Sequence, residues 1–159
     1  MANNKLLLNE ALELSYPDSF HVMDEEERSK LTLLEEGPSE FLTDPDRHMI
    51  ISIGWKPLGG LTSLLLNAKD IAKTMKARIA KATVQYDFKE IGPVIKNVGG
   101  EEADGFSYTY KSNDIEMFGE SLVIKHDKVF YYLHVYIREN AKEENIEVWN
   151  EILSSVNWL

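Results

Sequence analysis

Residues 129–138 read VFYYLHVYIR, and this stretch decides the fold because both of its alternating faces are apolar or aromatic. Successive side chains of a β-strand point to opposite faces of the sheet. One face of this strand therefore carries Phe130, Tyr132, His134 and Tyr136. The other face carries Tyr131, Leu133, Val135 and Ile137. A strand of this kind predicts a sheet that is covered on both faces.

Alternation and turn signals predict the strands on either side of this one. The C-terminal half adds strands at Val84–Lys89, Phe106–Lys111 and Glu116–Lys125, the last joined to 129–138 through His126-Asp127-Lys128. The N-terminal half adds a strand through Leu12 and Leu14, extended residues Phe20–Met23, and a hairpin of Phe41-Leu42 and His48–Trp55 around the turn Thr43–Asp46. Short strands with short connections predict a twisted, mostly antiparallel sheet.

Two helices long enough to cover a sheet are predicted by apolar residues at three- and four-residue steps. The central one runs over Leu61–Ala82 and buries Leu64, Ala68, Ile71, Ala72, Met75 and Ile79. The C-terminal one is capped by Asn140 with Glu143 and buries Ile146, Trp149, Leu153 and Val156. A short helix capped by Asp24 extends through Lys30. The prediction is one α+β domain, residues 1–159, in which the two long helices lie against the sheet, either on opposite faces or both on one face.

Composition excludes several classes of function. The chain has 27 acidic and 17 basic residues, a net charge of −10 that disfavours nucleic-acid binding. It has no cysteine, so disulfides and thiolate metal sites are excluded, and the expected location is the cytoplasm. Its longest apolar stretch is interrupted at Lys125 and His126, far short of the ~20 residues that a membrane-spanning helix needs. We expect no membrane insertion.

Catalytic and metal-binding patterns are absent from the sequence. The four histidines, His21, His48, His126 and His134, follow no metal-ligand spacing, and there is no HExxH motif. No GxSxG motif marks a nucleophilic serine. The sequence therefore predicts no catalytic residues, no bound metal and no cofactor.

The order of elements carries a resemblance over nearly the whole chain. A Tyr16-Pro17 turn follows the first strand, and the Phe41–Trp55 hairpin, a long helix, an antiparallel meander and a last helix ending Ile152–Val156 come after it. This succession resembles the PsbP-like superfamily, which includes PsbP, Mog-type and bacterial DcrB-like domains. The resemblance implies an α/β/α sandwich. It also implies a non-enzymatic binding module for another protein, of chaperone, adaptor or immunity type.

Aromatic residues supply the first candidate partner-binding surface. Tyr108 and Tyr110 share one side of their strand, and Tyr132, His134 and Tyr136 share one side of theirs. On an uncovered sheet face they would anchor a partner, because aromatic side chains dominate binding energy. Under a helix the same residues would belong to the core, with their hydroxyl groups reaching the rim. The sequence leaves both interpretations open.

Lysines supply the second candidate. Lys69, Lys73 and Lys76 align on the outer side of the central helix, where they either steer an acidic partner or only keep the helix soluble. The alternative function is small-molecule binding or an enzyme activity, in a pocket between the sheet and the central helix. The oligomeric state is not determined by any of these patterns.

Overall fold

The computed structural model describes residues 2–31, 38–57 and 65–159. Their strands are β1 Ala2–Leu8, β2 Leu12–Pro17, β3 His21–Val22, β4 Ser39–Asp44, β5 Met49–Pro57, β6 Lys89–Val98, β7 Glu101–Ser112, β8 Ile115–His126, β9 Val129–Arg138 and β10 Asn157–Trp158. Their helices are α1 Glu25–Ser29, α2 Ala68–Ala82 and α3 Lys142–Ser154, with 3₁₀ turns at Val84–Tyr86 and Glu139–Ala141. The chain is therefore α+β, as predicted.

The described strands form two antiparallel sheets. The large sheet has seven strands in the order β3-β4-β5-β9-β8-β7-β6, so β9 lies at its centre. The small sheet has the order β1-β2-β10. The predicted strand through Leu12 and Leu14 is confirmed as β2, but it belongs to this second sheet, which the sequence did not predict.

The helix α2 covers one face of the large sheet. Asn67 caps it by accepting a hydrogen bond from the Asp70 N–H at 2.9 Å. Its apolar stripe packs on a cluster from three neighbouring strands. The helix contributes Ala68, Ala72, Met75 and Ile79, and the strands contribute Phe106, Tyr108, Val123 and Phe130. This face of the sheet is the one that carries Tyr132, His134 and Tyr136.

The helix α3 and the small sheet together cover the opposite face. Their core contains Leu12 and Leu14 of β2, Trp149 of α3, and the inward side chains of β9. A buried carboxylate joins the layers: Glu120 Oε2 accepts hydrogen bonds from the Trp149 indole N–H and from Lys96 Nζ, both at 2.7 Å. Glu120 is only 4% exposed, and a buried charge of this kind needs such partners.

Several local predictions are confirmed. β9 spans Val129–Arg138, the predicted range, and the predicted hairpin is present as β4 and β5, although Thr43 and Asp44 belong to β4 and the turn is formed by residues 45–48. Asp24 caps α1 with its side chain bonded to the Glu27 N–H at 2.8 Å, and the Glu27 carboxylate bonds back to the Asp24 N–H. The helices α2 and α3 lie on opposite faces.

The strand predicted at Val84–Lys89 is wrong. Val84–Tyr86 forms a 3₁₀ turn, and Asp87 takes a left-handed conformation (φ 60°) that ends it. The strand β6 begins where the prediction ended and runs through Gly92 and Pro93, which look like loop residues in the sequence. Proline is tolerated there because β6 is the edge strand of the described sheet.

Two helix starts differ from the prediction. The central helix begins at Ala68, later than Leu61, and residues 58–64 lie outside the described residues. The C-terminal helix begins at Lys142, and Asn140 does not cap it because Asn140 lies inside the preceding 3₁₀ turn. The described part of the chain contains no helix long and apolar enough to cross a membrane.

Candidate functional site

The predicted aromatic surface lies mostly beneath other parts of the chain. Tyr108 is 1% exposed, His134 4% and Tyr136 8%, whereas Tyr110 and Tyr132 are half-buried. The interpretation of these five residues as an open recognition face is therefore wrong for the three that are buried. The physical reason for Tyr108 is that α2 packs its apolar stripe on it, whereas His134 and Tyr136 are buried on the same face of the sheet outside the cluster that α2 forms.

The structure brings the aromatic residues together in two groups on the same face of the sheet, one on β7 and one on β9, with β8 between them. The Tyr108 ring lies 5.3 Å from the Phe88 ring, 5.4 Å from the Phe106 ring and 5.8 Å from the Tyr110 ring, measured between centroids. The His134 and Tyr136 rings stack at 6.1 Å. These distances are typical of favourable aromatic pairs, so the ring contacts stabilise this face of the sheet.

A polar chain that the sequence did not predict runs through this layer. Ser121 lies opposite His134 in the β8–β9 register, and its hydroxyl lies 2.7 Å from His134 Nδ1. Tyr108 is hydrogen-bonded to the same Ser121. If Ser121 donates to Nδ1 and accepts from Tyr108, both hydroxyl protons are used and His134 is neutral. Predicting this contact requires the pairing register of β8 and β9, because neither the alternation of side chains nor the composition places Ser121 opposite His134.

The environment of this chain keeps its groups uncharged. Burial lowers the pKa of His134 to about 4. Burial also raises the pKa of Tyr108 to about 12, against the smaller lowering effect of its bond to Ser121. The pKa of Tyr110 is raised as well, by burial first and then by the neighbouring Tyr108.

A serine beside an imidazole is the pairing used in nucleophilic catalysis, so its chemistry needs to be considered. Ser121 is fully buried in the middle of β8, and His134 has a pKa far below that of an efficient base near neutral pH. The pair therefore fits a structural role, satisfying polar groups that are buried on this face of the sheet.

Gly119 explains how a tyrosine lies flat across the sheet. Its register partner on β7 is Tyr108, and a Cβ at position 119 would lie 2.4 Å from the Tyr108 ring. Any side chain there would displace the ring. The glycine thus permits the contact between Tyr108 and the polar chain.

The predicted lysine stripe is at the surface. Lys69 and Lys73 are exposed on the outer side of α2. Lys76 is half-buried, and its Nζ lies 3.3 Å from Glu90 Oε2 on β6. The ion pair places the outer side of α2 next to the start of the edge strand.

Charge is unevenly distributed along the chain. Residues 65–98, which contain α2 and β6, hold seven basic and three acidic residues, a net charge of +4. The remainder of the chain therefore carries −14, since the total is −10. The helix α3 alone has four glutamates and one lysine. The basic α2 layer faces solvent on one side of an otherwise acidic protein.

The histidines do not converge on a metal site. Among the described residues no group of three or more His, Asp or Glu side chains is arranged to hold a metal ion. His21 bonds to Glu27 at 2.8 Å, and His126 bonds to Glu101 at 3.0 Å with its other ring nitrogen 3.9 Å from Asp127. The absence of bound metal and cofactor stays a prediction.

A surface pocket of about 540 Å³ lies at the start of α3, lined by residues 139–144. Its wall is a single segment of chain, and it lies away from the predicted position between the sheet and α2. Ligand sites usually enclose their ligand with groups from several elements. This pocket does not favour the small-molecule alternative.

No family model and no curated protein matches the sequence. Solved structures do match. The solution structure of cyanobacterial PsbP (CyanoP) from Synechocystis sp. PCC 6803 is similar with a TM-score of 0.69 and 12% identity, over 99% of this chain and 93% of that one. The Ran-binding protein Mog1p of Saccharomyces cerevisiae is similar with a TM-score of 0.60 and 9% identity, over 99% and 96%.

The immunity protein TplEi of T6SS from Pseudomonas aeruginosa is similar with a TM-score of 0.53 and 10% identity, over 99% of this chain and 76% of that one. Identities this low show the fold alone. The PsbP-like fold predicted from the order of elements is therefore confirmed.

Proposed function

We propose that this chain is a non-enzymatic, cytoplasmic protein-binding module whose partner contacts the outer side of α2 around Lys69 and Lys73. The observation that carries the proposal is the segregation of charge, +4 in residues 65–98 against −14 elsewhere. A basic patch on an acidic protein orients the approach of an acidic partner and raises its association rate.

The structural neighbours support this proposal at the level of function class. One is named a Ran-binding protein and another an immunity protein. The burial of the tyrosine layer also supports it, because the exposed lysines remain as the predicted binding residues that a partner reaches directly.

The test compares three forms of the protein as bait in native lysate, with quantitative mass spectrometry. The first is wild type and the second is Lys69→Glu/Lys73→Glu. The third is the control Lys30→Glu/Lys128→Glu, which makes the same change in charge at two exposed lysines outside residues 65–98. We expect at least one protein to be retained by wild type and control and lost with the α2 variant.

Purified complexes then give the kinetics. Reversing the two α2 charges should lower the association rate roughly tenfold or more at low salt and weaken its dependence on salt. An unchanged association rate, or equal losses with the control variant, would rule out the α2 face as the contact.

A further inference from the structure

The second half of β6, residues Val94–Val98, is an open edge of the large sheet. Among the described strands β6 pairs with β7 on one side and is the last strand on the other. Val98 and Glu101 close the two-residue turn to β7, which makes them a hydrogen-bonded pair. Bonded and non-bonded pairs alternate along an antiparallel ladder, so Ile95 and Asn97 turn their backbone N–H and C=O groups outward. These groups can pair with an added strand.

The features that usually protect an edge strand do not protect this half of β6. Proteins blunt such edges with proline, bulges and lysine. Pro93 and the bulge of β6 lie N-terminal to this half. Lys96 points to the α3 face, where its Nζ donates to Glu120 and Asn150, both at 2.7 Å. Ile95 points to the opposite face and is 69% exposed. The edge is therefore apolar, exposed and open to strand addition.

Carboxylates flank this edge on the face to which Ile95 points. Asp104 of β7 lies opposite Ile95, and Glu102 is the next β7 residue on the same face. Asp104 is half-buried and Glu102 is exposed, and neither carboxylate has an ion pair or hydrogen bond within the described parts of the chain. Lys125 of β8, on this face, donates to the Leu66 carbonyl at 2.8 Å. Two uncompensated negative charges thus lie beside Ile95.

Carboxylates flank the edge on its other face as well. The bond from Lys96 to Asn150 brings α3 alongside β6. Glu147 lies one turn before both Asn150 and Glu151, so these three residues share a side of α3. Both glutamates are exposed, and neither is ion-paired with a described residue. Because Glu120 compensates the charge of Lys96, the surroundings of the edge are acidic on both faces.

These charges indicate a basic partner. A strand added beside β6 would lie between the four carboxylates of Glu102, Asp104, Glu147 and Glu151, and long Lys or Arg side chains can extend over β6 toward them. A second copy of this chain does not fit, because it would bring the same four carboxylates to the contact and repel. A basic segment is complementary to the site, and charge complementarity selects partners and register.

We propose that Val94–Val98 is a strand-addition site for an extended segment of a partner protein that is rich in Lys or Arg and contains a β-branched or aromatic residue. The backbone of that segment pairs with Ile95 and Asn97, its apolar side chain contacts Ile95, and its basic side chains contact the carboxylates on either face. The inference goes beyond the proposed contact at Lys69 and Lys73, which it neither uses nor requires.

The test uses the full chain and a phage-displayed library of random linear peptides, with binding measured by fluorescence anisotropy. We expect the selected peptides to be basic, to contain β-branched or aromatic residues, and to bind more weakly as salt is raised. N-methylation of alternate peptide bonds, which removes N–H donors, should weaken binding by about tenfold or more. In hydrogen exchange measured by NMR, a bound peptide should slow the amides of Ile95 and Asn97 far more than that of Lys96, which β7 already protects.

Variants locate the contact. Ile95→Lys and the milder Ile95→Thr should each weaken peptide binding by about tenfold or more. Glu102→Gln/Asp104→Asn should weaken it by about fivefold at low salt. The control Glu26→Gln/Glu116→Gln removes the same charge at two exposed glutamates elsewhere and should leave binding unchanged. Thermal melting of each variant establishes that it is folded.

Several results overturn the proposal. They are failure to select any peptide, selection of acidic peptides, insensitivity to N-methylation, and equal losses with the control variant. A dimer in sedimentation equilibrium that Ile95→Lys dissociates would identify a second copy as the occupant and also overturns it. Peptides that are lost with Lys69→Glu/Lys73→Glu but retained by Ile95→Lys bind at α2, so the edge assignment then fails while the proposed function stands.

Discussion

The two faces of the large sheet are buried in different ways. Beneath α3 and the small sheet lie mainly aliphatic side chains, and Leu122, Ile124 and Trp149 are completely buried. The opposite face carries tyrosines, a serine and a histidine, and the apolar residues that α2 packs on this face remain 7–9% exposed. The outer surfaces differ as well, because α3 is acidic and α2 is basic.

This difference suggests a division of roles. Aliphatic side chains excluded from water give the largest gain in free energy of folding for their area, so the α3 face holds the fold together. The α2 face packs the helix on aromatic and apolar side chains, contains the hydrogen-bonded pair Ser121 and His134 within the sheet, and presents charge to solvent. We expect stability to depend mainly on the first face and binding on the second.

Neighbouring tyrosines of β9 give the largest contrast between the faces. Tyr131 points to the α3 side, 1% exposed, with its hydroxyl bonded to Asn9 and its ring edge-on to Trp158. Tyr132 points to the α2 side and is half-buried. Replacing Tyr131 by Ala should lower the free energy of unfolding by about 4 kcal/mol, and replacing Tyr132 by about 2 kcal/mol. Urea denaturation measures both, and equal losses would contradict the division of roles.

Acid should weaken the α2 face selectively. Because the pKa of His134 falls from 6.5 to about 4 on folding, the unfolded chain takes up the proton first as the pH drops. The stabilisation is complete above pH 6.5 and is lost between pH 6.5 and 4, by on the order of 3 kcal/mol. His134→Gln should remove this part of the pH dependence in urea titrations. A variant with the wild-type slope would show that His134 is not the group responsible.

Charge reversal on α2 should have the smallest effect on folding. Lys69 and Lys73 are exposed, and surface charges contribute little to stability. The variant Lys69→Glu/Lys73→Glu should stay within about 0.5 kcal/mol of wild type in urea denaturation. A larger loss would mean that these lysines support the fold, and loss of a partner with this variant would then have a structural cause.

The sequence predicted the centre of the sheet better than its edge. β9 is apolar on both faces. Its limits, and the opposite faces to which Tyr131 and Tyr132 point, therefore followed from the alternation of side chains alone. β6 is an edge strand with Gly92 and Pro93 inside it, and only the neighbouring β7 makes those residues part of a ladder. The turn at Val84–Tyr86 was mistaken for a strand because it is rich in residues that favour strands.

The candidate site shows the same limit. Period-two alternation grouped Tyr108, Tyr110, Tyr132, His134 and Tyr136 correctly. It gave no information on whether a helix would cover them, because covered and open faces have the same alternation. The bond between Ser121 and His134 depends on the β8–β9 register, which the short hairpin at Asp127 and Lys128 sets and which single-strand patterns do not contain.

The small sheet has a consequence for the rate of folding. β10 pairs with β2, and Ser155 bonds to the backbone of Ser15, 140 residues away along the chain. Contacts between such distant segments stabilise the fold only after a very long loop has closed, which costs conformational entropy. Proteins rich in such contacts fold slowly. The first hairpin and the last strand therefore meet late, and the α3 face is completed only when they do.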